Sequence, residues 1–118
     1  MKVMTKSVYE APSPDDGVRV LMDRHWPRGL TKERATLDEW RRELAPSVDL
    51  GRRFRDDADF DSFTSDYAAE LAGSEAARDL IEAWRGTPAL TICYAAKDRV
   101  RNHATVLGDV LRRLVDIG

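Results

Sequence analysis

The residues of this chain best suited to chemistry fall in two short blocks. The first is Asp23-Arg24-His25-Trp26-Pro27-Arg28-Gly29. The second is Tyr94-Ala95-Ala96-Lys97-Asp98, followed by Asn102-His103-Ala104. A neutral imidazole at His103 can take or give a proton near neutral pH, which makes His103 the candidate catalytic residue. Arg24, Arg28 and Lys97 supply positive charge, and arginine forks match carboxylates and phosphates. Trp26 and Tyr94 offer faces on which a flat ligand can stack. Asn102 can orient a ligand by hydrogen bonds. Asp23 follows an apolar run and stays ionised beside Arg24, an orienting role that it shares with Asp98. Together these residues suit a pocket for an anionic small molecule, phosphorylated or nucleotide-like. Each also has a purely structural reading. His103 can bond a nearby carboxylate and tie two elements together, and Asp23, Arg24 and Asp98 can form a folding lock.

Other chemistries find no support in the residues. His25 and His103 are the only histidines, without two-His-plus-carboxylate spacing on one element, so no metal is expected. No glycine-rich stretch precedes Lys-Ser/Thr, and no serine sits at a strand-to-helix elbow, so neither a phosphate loop nor a serine triad is expected. No cofactor is expected either. Cys93 is the single cysteine, which excludes an internal disulfide, and its apolar surroundings suit an inert core residue better than a nucleophile.

The elements that must position these residues are legible from pattern. Residues 2–9 loosely alternate and predict a strand. The Pro12–Gly17 stretch predicts a loop, and 18–23 a second strand. Pro27 and Gly29 predict a tight turn after it. Thr36-Leu37-Asp38-Glu39 has the form of a capping box, which predicts a helix with Leu37, Trp40 and Leu44 on one face, ended by Pro46. Ser47 can cap a short helix containing Leu50 and Phe54. Phe60, Phe63, Tyr67 and Leu71 predict an amphipathic helix over 59–72, and Ala77, Leu80, Ile81 and Trp84 the inner face of the next. If the Phe60/Phe63/Tyr67 face is too broad for one small core, a homodimer follows. The uncharged run 89–95 predicts a central strand, and a last helix is expected over 99–116.

Strands alternating with helices predict an α/β fold. The expectation is one three-layer-like domain over 1–118, with a small, mainly parallel sheet of about three strands covered by helices. In such sheets ligands bind beyond the carboxyl ends of the strands. Two of these ends carry polar residues, at Asp23-Arg24 and at Lys97-Asp98, with the start of the last helix adding partial positive charge.

The chain has 118 residues, 42% apolar and 34% charged, enough to build a core and too apolar on average for disorder. No stretch suits a membrane span or an export signal, so a cytoplasmic protein without membrane partners is expected. The net charge of −2 hides a segregation. Residues 19–55 carry ten Lys/Arg against six Asp/Glu, 56–82 carry one against nine, and 97–113 carry five against two. A dipolar surface of this kind can attract an anion or a second copy of the chain. The acidic total speaks against nucleic acid as a partner.

The blocks Arg19–Gly29, Leu37-Asp38-Glu39-Trp40, Glu43-Leu44-Ala45-Pro46-Ser47, Tyr94–Asp98 and Asn102-His103-Ala104 resemble, in order and spacing, the YeaO-like branch of the bacterial family called domain of unknown function 488. The resemblance spans nearly the whole chain. It implies a small cytosolic bacterial α/β protein and brings no established activity. A longer branch of the family is similar at Asp23-Arg24 and around Cys93 and His103. That branch has Cys and Arg where this chain has Asn102 and Ala104, so two-cysteine chemistry does not transfer. Three classes of function therefore stand at this point: a small enzyme or ligand-binding domain for an anionic molecule, a non-catalytic regulatory or protein/nucleic-acid-binding module, and a polar cluster that only locks the fold.

Overall fold

The computed structural model describes residues 1–57 and 59–117. Its centre is a sheet of four parallel strands: β1 (Lys2–Ser7), β2 (Val18–Leu21), β3 (Glu39–Trp40) and β4 (Ala89–Tyr94), in the spatial order β1-β4-β2-β3. The uncharged run takes the central position that its composition predicts. Leu90 lies between Val3 of β1 and Val18 of β2 in the register.

Alternation along the strands sorts their side chains to two faces. Val18, Val20, Met22, Leu90, Ile92 and Tyr94 face the main core. There they meet α2 (Val48–Asp57), α3 (Phe60–Ala72), α4 (Ala76–Ala83) and α5 (His103–Ile117). Phe63 and Tyr67 are buried in this core, so the aromatic face of α3 is used within the chain. The other face carries Leu21 and Cys93. It is covered by Val8, Leu30, Trp26, Leu37, Trp40 and the one-turn helix α1 (Lys32–Ala35). The three layers are therefore unequal: four helices on one side, and a loop with a single turn on the other.

The sheet has a strand more than expected, because 36–44 is not one helix: Glu39–Trp40 pair as a strand and only Arg42–Leu44 makes a single 3-10 turn. Thr36 takes a left-handed conformation, φ 49°, and its N–H closes α1 on the Lys32 carbonyl. Beyond it the backbone is captured by β2. Asp38 N–H donates to the Arg19 carbonyl at 2.8 Å, and the Asp38 carboxylate accepts the Arg19 N–H at 2.8 Å. Glu39 and Trp40 then pair with Val20 and Leu21. Leu37, Trp40 and Leu44 fit a helical spacing, but so short an element is decided by its pairing partner rather than by periodicity.

The last helix also begins later than expected, at His103 rather than at 99. The Asp98 carboxylate accepts the N–H groups of Val100 and Arg101 at 2.9 and 2.8 Å and folds 98–101 into a turn. Asn102 is the cap, accepting the Thr105 N–H at 3.0 Å.

A charged cluster missed by pattern reading holds the thin layer to the sheet. Arg19 is 3% exposed and its side chain lies on the second face. It donates to Asp16 at 2.6 Å and to the carbonyls of Thr36 and Ala35 at 3.0 and 2.9 Å. Lys6 reaches the same carboxylate at 3.1 Å. Burial works to raise the Asp16 pKa, but the Ser13 N–H, Lys6 and Arg19 outweigh it and hold the carboxyl below its ordinary range. Gly17 seats this loop on β4 with φ +64°. A Cβ there would stand 2.3 Å from the Ala89 carbonyl oxygen, so only glycine fits. Among the described residues no helix is long and apolar enough to cross a membrane.

Candidate functional site

β2 and β4 are parallel neighbours, so their carboxyl ends emerge on the same edge of the sheet. Asp23 leaves β2 there and His103 opens α5. His103 Nε2 stands 2.6 Å from Asp23 Oδ1, across 80 positions of sequence. The second carboxylate oxygen of Asp23 accepts the Ala95 N–H at 3.1 Å, which ties the pair to the end of β4. With Nε2 engaged by the carboxylate, Nδ1 is left as the imidazole's second polar atom. Both side chains keep a minor exposed part, 19% for His103 and 16% for Asp23.

The pair borders a cleft of about 520 Å³. Its lining is apolar at Ala45, Phe54 and Phe63, and three arginines line it: Arg24, Arg55 and Arg101. Arg24 donates to the Pro46 carbonyl at 2.9 Å, which fixes that side chain against the 45–47 wall. The wall is held from its other side by Glu70 of α3. Glu70 accepts the Ser47 N–H at 2.9 Å and the Ser47 hydroxyl at 2.6 Å. The same hydroxyl caps α2 by accepting the Leu50 N–H at 3.2 Å. None of Arg24, Arg55 and Arg101 forms a direct ion pair with a described acidic side chain, although Arg101 lies near enough to Asp98 to help hold its carboxyl down. The cleft thus combines an apolar lining, three arginines outside direct ion pairs and one oriented imidazole.

The remaining candidates are distributed around this cleft in different ways. Asn102 lines it, but both ends of its amide are engaged. Its NH2 donates to the Asp98 carbonyl at 2.8 Å and its oxygen caps α5. Arg28, Lys97 and Trp26 line a second cleft, across a ridge made by Asp23, His25, Ala95 and Ala96. Arg28 sits in the turn that Pro27 and Gly29 predict. The Leu30 N–H reaches back to the Pro27 carbonyl, and Gly29 has the positive φ, +70°, that a type II turn requires. Trp26 donates from its indole to the Leu30 carbonyl at 2.6 Å and packs edge-on against Trp40.

Tyr94 lines neither cleft. It is 3% exposed and its ring stands edge-on to His103 at 6.5 Å, so it presents no free face for stacking. Asp98 is exposed and serves its own turn, not a lock with Asp23 and Arg24. With that carboxylate on the amides of Val100 and Arg101, the backbone before α5 is already neutralised, and the partial charge expected near residue 99 is not free for a ligand.

Arg55, Arg101 and Phe54 were not singled out from sequence. Arg55 and Phe54 lie in a helix read only for its core side. Arg101 stands two residues before His103 in a segment expected to be helical. Cys93 faces the opposite, thin layer, where burial pushes its thiol up to about 11. No group of three or more His, Cys, Asp or Glu side chains that could hold a metal ion occurs among the described residues.

Comparison with known proteins gives the family of the chain. The family profile described as "Inactive DUF488-N3 subclade" matches residues 2–116. The chain is 41% identical over 116 residues to the protein named "Uncharacterized protein YeaO" of Escherichia coli K12, covering 97% of this chain and all of that one. It is 37% identical over 111 residues to proteins named Mb3100c of Mycobacterium bovis and Rv3073c of Mycobacterium tuberculosis H37Rv, covering 93% of each chain. No solved structure matches it.

Proposed function

The chain belongs to the DUF488 family, in the subclade described as inactive, and from that premise we propose that it binds an anionic, phosphate-bearing small molecule without turning it over. The observation that carries this reading is the cleft itself. Arg24, Arg55 and Arg101, outside direct ion pairs among the described residues, line an apolar cleft at the edge where parallel sheets bind their ligands. Phosphate oxygens would take the guanidinium donors, and a flat organic group would rest against Phe54. His103, oriented by Asp23, would donate or accept one hydrogen bond.

Two features besides the family's description favour binding over turnover. The thiol of Cys93 lies on the other face of the sheet. The Ser47 hydroxyl, the one that lines the cleft, is committed to Glu70. A cytoplasmic location goes with this reading, supported by the lone buried cysteine.

A second reading is proton transfer by His103. The 2.6 Å contact with Asp23 favours it, because the carboxylate holds the ring by Nε2 and leaves Nδ1 to meet a substrate.

Thermal unfolding with inorganic phosphate and with adenosine monophosphate (AMP) tests the binding reading. Either ligand at about 100 times its Kd should stabilise the protein by about 2.7 kcal/mol, and the gain should vanish in Arg24→Ala and Arg101→Ala. A melting temperature that neither ligand raises would remove the proposal. Chromatographic detection of a product that disappears in His103→Asn would replace it with the second reading.

A further inference from the structure

Two clefts meet at Asp23. The second has a volume of about 650 Å³ and opens across the ridge of Asp23, His25, Ala95 and Ala96, which line both. We propose that the ligand is a dinucleotide-type polyanion, two ring-bearing units joined through phosphate, lying across this ridge with one unit in each cleft. This deepens the binding reading above and rests on it.

Four observations support an occupant of that shape. The ridge is low. Ala95 and Ala96 project only methyl groups and are half-buried, so a ligand can cross them. Cations stand on both sides, Arg24 and Arg101 on one, Arg28 and Lys97 on the other. Arg28 and Lys97 are exposed and have no acidic partner among the described residues, whereas the neighbouring Arg99 is held by Glu10 at 2.9 Å. Each cleft has an aromatic surface, Phe54 in the first and Trp26 with the 45% exposed Tyr9 in the second. Each cleft is also of the size that holds a whole drug-sized ligand, so a single mononucleotide leaves one of them unused.

The charge balance agrees. Asp23 is the acidic residue that lines both clefts, and its two oxygens are taken by His103 and the Ala95 N–H. Both oxygens are thus occupied, and Arg24, Arg55, Arg101, Arg28 and Lys97 outnumber this one carboxylate across the two clefts. His25, exposed on the ridge, stands where the linking phosphate would pass.

Isothermal titration with AMP and with the 5′-phosphorylated dinucleotide pApA tests the proposal. Joining two units that each find a site should make pApA bind at least about tenfold more tightly than AMP. Replacing both second-cleft cations, Arg28→Ala with Lys97→Ala, should reduce that preference to about twofold or less. Both side chains are exposed, and unchanged circular dichroism would show that the double variant folds. Equal affinities for AMP and pApA in the parent protein, or a preference that survives the double substitution, would overturn the bridging ligand. AMP binding without any preference for pApA would leave the one-cleft reading standing. Binding of neither molecule would overturn both.

Discussion

His103 Nε2 and Asp23 Oδ1 stand 2.6 Å apart, although one opens the last helix and the other leaves the second strand. Their meeting follows from β2 and β4 being parallel neighbours, which brings both carboxyl ends to one edge. Cutting this contact should cost stability as well as any ligand response. Asp23→Ala removes the partner of the imidazole and of the Ala95 N–H, and should lower unfolding free energy by about 1–3 kcal/mol. Urea denaturation checks this. A change under about 0.5 kcal/mol, the usual size for a surface substitution, would contradict the contact.

The Asp16–Arg19 pair should be the more costly one to break. Asp16→Ala leaves the Arg19 guanidinium, 4% exposed, without its carboxylate on the second face of the sheet. The expected loss is about 3–5 kcal/mol by urea denaturation. Lys6→Met removes the more exposed of the two cations, 20% against 4%, and should cost about 1 kcal/mol or less.

Acid should reveal the same cluster. Hydrogen bonds and positive charge keep Asp16 below its ordinary range against the opposing effect of burial. Hydrogen bonding from Arg41 does the same for Glu39, again against burial and helped by the Trp84 indole. Depressed folded-state values mean that the unfolded chain binds protons first as pH falls. Their stabilisation is therefore complete above the ordinary carboxylate range, about pH 4 and higher, and is lost as pH drops through the lowered folded-state values. Stability measured from pH 6 down to pH 2 should fall below about pH 4, and the fall should shrink in Asp16→Asn. A profile that is flat in this window would contradict both pairings.

The thiol of Cys93 should be nearly inert in the native protein. Burial pushes it up to about 11, so at pH 8 the thiolate is scarce as well as covered. Labelling by a disulfide reagent should be at least about a hundredfold slower in buffer than in denaturant. Equal rates would place the thiol at the surface.

Much of the fold was legible because its signals are local. The uncharged run at 89–95, the stripe of Phe63, Tyr67 and Leu71, and the Pro27-Gly29 turn each carry their structure in their own residues. The segment at 36–44 was not legible. Its fate depends on the edge of β2, and nothing within Leu37-Asp38-Glu39-Trp40 reveals a strand partner nearly twenty positions earlier. The site divides the same way. Asp23, Arg24 and His103 could be picked out because they follow a strand or stand near a helix start. Arg55 could not, since only the packing of α2 against α3 turns it toward the cleft. Tyr94 looked available from its place at the end of a strand, but alternation sends it into the helical core.

The cleft beside the Asp23–His103 pair is the central claim, and nuclear magnetic resonance titration of the labelled protein with AMP tests it most directly. Binding there predicts shifts concentrated at the Ala96, Asn102 and His103 amides and at the side-chain Nε–H signals of Arg24, Arg55 and Arg101, with α4 undisturbed. A spectrum that does not change up to millimolar nucleotide, or shifts centred on α4 instead of this cleft, would contradict it.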